Sequence, residues 1–183
     1  IMQVGMQALD TGLYMFGADG AAVKGFFTNA DGKIYYFGDN FAAVTGPQVI
    51  NKAHYMFNAD GSMFVGWLGD LPNRSYYKAD GTMATGWNAI DGLSYYFDGN
   101  GLLQTGLLTI KKDGTYYLDV DGHQVVGFVQ IGAGFYYFDP ATGKMVTKAT
   151  INIAGLDCTF DKTGLLVAPT GFVPPVIAAV APQ

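Results

Sequence analysis

The stretch GLSYYFDGNGLLQTG, residues 92–106, decides how the rest of the chain is read. A Tyr-Tyr-Phe triplet leads into a glycine-rich turn, then a short apolar run closed by Thr-Gly. The same phrase returns along the chain, and its closing glycines are Gly25, Gly46, Gly66, Gly86, Gly106 and Gly127, with gaps of 21, 20, 20, 20 and 21 residues. Self-similarity at a fixed period is the mark of a repeat architecture. Continuing the count puts Lys148 and about Ala168 in the same slot, where the pattern decays, and the upstream phrase GLYMFGADGAAVKG adds a unit at the start. About eight units therefore run from residue 5 to residue 168.

All twelve tyrosines fall in two neighbouring slots of this repeat: Tyr14, Tyr35-Tyr36, Tyr55, Tyr76-Tyr77, Tyr95-Tyr96, Tyr116-Tyr117 and Tyr136-Tyr137. Turn signals frame them. Asp31-Gly32, Asp91-Gly92 and Asp113-Gly114 precede the pair, while Asp19-Gly20, Asp60-Gly61, Asp80-Gly81, Asn100-Gly101 and Asp121-Gly122 follow it. Asp-Gly and Asn-Gly between short apolar runs are the strongest local signal for a hairpin. No segment carries a helical period over eleven or more residues. One hairpin alone is marginal in water, so the units must bury their faces on one another. The expected fold is all-β, a solenoid of about eight stacked β-hairpin repeats of 20–21 residues. It is expected to occupy residues 1–168, with 169–183 as a linker or tail; the last unit, INIAGLDCTFDKTGLL, reads as a degenerate or capping repeat.

Composition agrees. Of the 183 residues, 15% are aromatic and 14% charged, against about 25% charged in an average soluble chain. The 26 glycines are roughly twice the usual share. A net charge of −5 with Lys111-Lys112 as the only adjacent basic pair leaves nothing to neutralise phosphates, so no nucleic-acid partner is expected. PPVIAAVAP near the end holds six apolar residues between prolines, far short of the roughly 20 that cross a bilayer, so no membrane insertion is expected. Cys158 is the single cysteine and excludes an internal disulfide. The first residue is Ile1, which reads as a fragment attached to a further domain in the full-length protein.

Alternation along a strand sorts the tyrosines. Tyr14/Phe16, Tyr35/Phe37, Tyr55/Phe57, Tyr95/Phe97, Tyr116/Leu118 and Tyr136/Phe138 share an apolar face and should form the spine. The opposite parity, as in Ser94/Tyr96 and Ser75/Tyr77, is mixed and should be more exposed. The residue after each closing glycine is Phe26, Pro47, Trp67, Trp87, Leu107 or Phe128. An aromatic there puts a flat ring at the junction between hairpins, suited to stacking on a sugar face or holding an ammonium group. The candidate ligand-binding residues are Trp67 with Tyr77, Trp87 with Tyr96, Phe26 with Tyr36 and Phe128 with Tyr137. Pro47 and Leu107 mark junctions expected to bind nothing.

The phrases GWNAIDGLSYYFDGNGLLQTG and GWLGDLPNRSYYKADGTMATGW resemble the Gram-positive cell-wall-binding repeats, the superfamily of choline-binding modules, glucansucrase glucan-binding repeats and clostridial toxin repeats. Gly-Trp, a turn, an aromatic pair, Asp-Gly and Met-x-Thr-Gly are shared at a period near 20, over almost the whole chain. The resemblance implies a hairpin solenoid, a secreted or cell-surface location and binding without catalysis. Choline-binding repeats carry a Trp before the tyrosine pair; here Ile34, His54, Ser75, Ser94, Thr115 and Phe135 fill that slot. Polar residues beside one flat ring favour a hydroxylated ligand, so within the superfamily the pattern is most similar to the glucan-binding and clostridial-toxin-type repeats, and the resemblance implies recognition of carbohydrate.

No phosphate loop, metal-spaced Cys/His set or nucleophile with a base is visible. The phrase DVDG at 119–122 lacks the Glu that a calcium loop needs at position 130, where Gln130 stands. Carboxylates such as Asp91, Asp98 and Asp119 recur as turn residues. The reading is thus a non-enzymatic, carbohydrate-binding repeat module for an α-glucan or cell-wall glycan, with no cofactor or metal. The alternatives are a choline or teichoic-acid anchor and a structural spacer.

Overall fold

The computed structural model describes residues 2–167 and the backbone of 178–180. It divides into two compact units, residues 1–85 and 86–183, each holding four antiparallel hairpins. In the first unit they are β1 (Gly5–Leu9) with β2 (Gly12–Phe16), β3 (Gly25–Thr28) with β4 (Ile34–Phe37), β5 (Gly46–Ile50) with β6 (Ala53–Phe57), and β7 (Gly66–Leu68) with β8 (Ser75–Tyr77). The second unit opens with β9 (Gly86–Ile90) and β10 (Leu93–Phe97). Then β11 (Gly106–Ile110) pairs β12 (Gly114–Leu118), which also takes the short β13 (Gln124–Val125). Next, β14 (Gly127–Ile131) pairs β15 (Gly134–Phe138), and β16 (Ala149–Ile153) pairs β17 (Leu156–Phe160), which carries β18 (Leu166–Val167). A last strand, β19 (Ala178–Val180), runs parallel to β14. The all-β reading with eight hairpins holds. The expected domain end at 168 and the rest of the 169–183 tail lie outside the described residues.

A fixed register explains why the phrase repeats as it does. The closing glycine that starts each hairpin faces the last aromatic or apolar residue of its partner strand: Gly25 faces Phe37, Gly46 faces Phe57, Gly86 faces Phe97, Gly106 faces Leu118 and Gly127 faces Phe138. That residue is the core. Phe37, Phe97, Phe138 and Leu118 are fully buried, and Phe57 and Phe160 nearly so. Burying each such ring stabilises the fold by about 1.5–3 kcal/mol. The first tyrosine follows the spine reading, with Tyr35, Tyr95 and Tyr116 buried and Tyr14, Tyr55 and Tyr136 half-buried.

Each hairpin ends in a tight turn closed by backbone hydrogen bonds, as where Asp98 N donates to Leu102 O and Asp119 N to His123 O. A side-chain carboxylate rebinds the turn: Asp119 Oδ1 accepts from the amides of Asp121 and His123, and Asp161 Oδ1 from those of Thr163 and Leu165. Such local bonding is why Asp recurs there. The turn after one hairpin then docks on the hairpin before it, with Ala43 N donating to Leu13 O, Met63 N to Ile34 O and Met145 N to Thr115 O.

Docking constrains the turn glycine twice. Gly122 has φ +87°, and a Cβ there would lie 2.8 Å from Leu103, the Met-x-Thr-Gly position of the preceding turn. Asp-Gly and Met-x-Thr-Gly thus recur in phase because one turn sits on the last. In the second repeat Phe41 takes that backbone shape, with φ 62°.

Candidate functional site

The ring after each closing glycine stands opposite the second tyrosine of its own hairpin. Trp87 meets Tyr96 with centroids 5.2 Å apart and planes at 72°, and Phe26 meets Tyr36 at 4.9 Å and 67°. Edge-to-face contact suits the charge distribution of aromatic rings. Each pair gains a third ring from the next hairpin in the slot of the first tyrosine: Tyr116 lies 4.9 Å from Trp87 at 67°, and Tyr55 lies 5.4 Å from Phe26 at 56°. Trp87 is 37% exposed and Phe26 47%. Two open aromatic corners result, one in each unit. The third rings, Tyr55 and Tyr116, escape a reading that treats hairpins singly; their offset of one repeat from the junction residue was the available signal.

Two expected placements are corrected. Opposite Trp67 stands Tyr76, at 5.0 Å and 62°, and not Tyr77, which is buried at 6% exposure. In this hairpin Gly66 faces Tyr77 itself, so Tyr77 fills the core slot that Phe holds elsewhere. Its position could have been read from the turn: Tyr77 precedes Gly81 by four residues, as Phe97 precedes Gly101. Phe128 is the second correction. It does meet Tyr137, at 5.0 Å, but it is only 3% exposed. The next hairpin offers Cys158 where a tyrosine would stand, and Phe128 packs with Cys158, Phe160 and Leu166 in a closed apolar cluster. Leu107, the ringless junction, is half exposed.

The Trp87 corner opens on a groove of about 390 Å³. Trp87 and Tyr116 line it together with Asn88, Ser94, Gln124 and Thr142. Ser94 holds the slot before the tyrosine pair, so a polar hydroxyl stands where an indole would have walled the site. Asp113 also borders the groove. Its carboxylate accepts from Tyr116 Oη at 2.7 Å and from Lys144 Nζ at 2.6 Å. Lys144 first, then Tyr116, holds the Asp113 carboxyl below its ordinary range, while burial and then the Asp113 bond push the Tyr116 phenol up. The pair therefore fixes the ring of Tyr116 in place at physiological pH.

Asp119, Asp121 and His123 bring potential metal-ligand atoms within 4.8 Å of one another. Asp119 is engaged on both oxygens, one by backbone amides and the other by His123 Nδ1 at 2.9 Å. That arrangement is accounted for by the turn. Among the described residues, no helix is long and apolar enough to cross a membrane.

Stacked hairpins with aromatic corners at their junctions define a class: a repeat module with flat rings at its seams. Residues 104–149 match the family model of the choline-binding repeat, and residues 85–103 match that of a cell wall binding repeat. The likeness to cell-wall-binding repeats read from the repeat phrase is therefore met over residues 85–149. Choline binding protein F of Streptococcus pneumoniae is similar at 24% identity and TM-score 0.75, over 91% of this chain and 58% of that one. The same protein crystallised with a tetrasaccharide-pentapeptide peptidoglycan analogue gives a TM-score of 0.74. CbpJ from Streptococcus pneumoniae TIGR4 is similar at 21% identity and TM-score 0.76, over 90% of this chain and 58% of that one. At such identities these likenesses speak for the fold. The chain thus spans a little under three fifths of the length of these structures. No curated protein sequence matches.

Proposed function

We propose that this chain is a non-catalytic module that attaches a secreted or surface protein to a polymer carrying sugars, with the Trp87 groove as its principal site. The observation that carries the reading is the lining of that groove: two aromatic rings, Trp87 and Tyr116, among the polar side chains of Asn88, Ser94, Gln124 and Thr142. Sugars offer apolar ring faces to stack and hydroxyls around their rim, and this lining serves both. The corner of Phe26, Tyr36 and Tyr55 supplies a second, purely aromatic platform. Each site alone is shallow. Two sites on one polymer gain from an effective concentration of about millimolar.

A quaternary ammonium ligand such as choline is the second reading. It is favoured by the near-perpendicular Trp87 and Tyr116 rings and by the choline-binding repeat model that begins at residue 104. Affinity electrophoresis in gels containing dextran or starch, run beside choline elution from an amine-bearing resin, separates the two. Trp87→Ala should weaken polymer retention roughly fivefold, the equivalent of about 1 kcal/mol of stacking, with an unchanged far-UV spectrum. Retention by neither polymer nor resin would leave the module a spacer.

A further inference from the structure

Trp67 differs from Trp87 in what lies across its face. The guanidinium of Arg74 sits over the indole, with Cζ 4.2 Å from the ring centroid. Arg74 is the chain's one arginine. It ends the connection 69–74 between β7 and β8, six residues long where residues 91–92 suffice between β9 and β10. Among the described residues it forms no ion pair with a carboxylate.

We propose that Arg74 is a built-in occupant of Trp67: it fills, from within the chain, the ring face on which a cation from solution would stack, and so closes that face to external ligand. A cation within about 6 Å of a tryptophan centroid is drawn to the negative face of the ring. A planar, weakly hydrated guanidinium stacks there better than an ammonium. Tethered in the same hairpin, it meets the ring at an effective concentration far above that of a free competitor. The face that holds a delocalised cation in this way also accepts a quaternary ammonium by the same attraction once Arg74 is gone. The two tryptophans thus have different fates, one covered by its own chain and one open on a groove. The inference does not rest on the carbohydrate reading of the Trp87 groove.

Trp87→Phe leaves Trp67 as the only indole, so fluorescence then reports this ring alone. Choline chloride is the probe, against sodium chloride of equal ionic strength. With Arg74 present the emission should stay flat through the millimolar range. Adding Arg74→Ala, or Arg74→Gln to keep the length without the charge, should give a saturable change with an apparent Kd lower by about tenfold or more. An equal response with and without Arg74 would overturn the proposal, as would flat titrations of both folded variants. The unaltered chain offers a further check that needs no folding variant. Its single arginine gives one set of side-chain NMR resonances, expected upfield from the indole ring current; unshifted resonances would also overturn the proposal. A Trp67→Phe variant titrated with dextran reports on the Trp87 groove independently.

Discussion

Replacing Gly122 by alanine tests whether turn-on-turn docking holds the module together. Two costs add. Alanine at φ +87° sits in the left-handed region, which costs about 1–2 kcal/mol. Its Cβ would also lie 2.8–2.9 Å from three carbons of Leu103, whose residue is 4% exposed and has no solvent to swing into. Overpacking of that kind costs about 1–3 kcal/mol. Gly122→Ala should therefore lose about 2–5 kcal/mol in urea unfolding followed by circular dichroism. Gly106→Ala is the matched control, since φ there is +74° and nothing lies within 4 Å of the added carbon; it should lose only the backbone cost of about 1–2 kcal/mol. Leu103→Ala combined with Gly122→Ala should lose less than the sum of the two single changes, by about 1–2 kcal/mol, because the cavity from one admits the methyl of the other. If Gly122→Ala costs no more than Gly106→Ala, or if the double change is additive, the docking argument fails.

Other expectations concern the core and the acid limb. Tyr77→Ala should lose about 3–5 kcal/mol of stability, as for any large buried aromatic, whereas Tyr76→Ala should lose far less; chemical denaturation of both reads the difference directly, and equal losses would place the pair the other way round. Asp60 is held down to about 2 by hydrogen bonds from Ser62 and then Lys33. A carboxyl depressed on folding adds stability above its unfolded value, near 3.9, and loses it as pH falls toward 2. Asp60→Asn should flatten the Tm profile between about pH 4 and pH 2 relative to the native chain; parallel profiles would count against the assignment.

The repeat was legible because its physics is local. A positive-φ glycine, a turn-binding carboxylate and a period-two strand each write their own signature, and the register in which Gly86 faces Phe97 and Gly106 faces Leu118 repeats it in step. Tyr77 shows where the tyrosine pair is a poorer ruler than the turn. The strand is anchored by the glycine behind it, and Tyr77 keeps its distance from Gly81 while the pair slides one place toward the turn. Phe128 was hidden for a different reason. Its exposure depends on Cys158, Phe160 and Leu166, residues of the following repeat whose volumes no single phrase reveals. The groove beside Trp87 is likewise non-local, since Ser94, Gln124 and Thr142 come from three successive repeats.

Such differences bear on the proposed function. The core slot can vary little, because Phe37, Phe97, Leu118 and Phe138 have no solvent to move into. The junction slot carries no such constraint, and its occupants have gone separate ways: Trp87 and Phe26 stay open, Phe128 is packed shut, Trp67 carries Arg74, and Leu107 has no ring. Eight hairpins therefore do not make eight sites. Stacking supplies a scaffold whose stability each core side chain shares, while on the proposed reading binding capacity is set seam by seam through what the next hairpin or connecting loop lays across the ring.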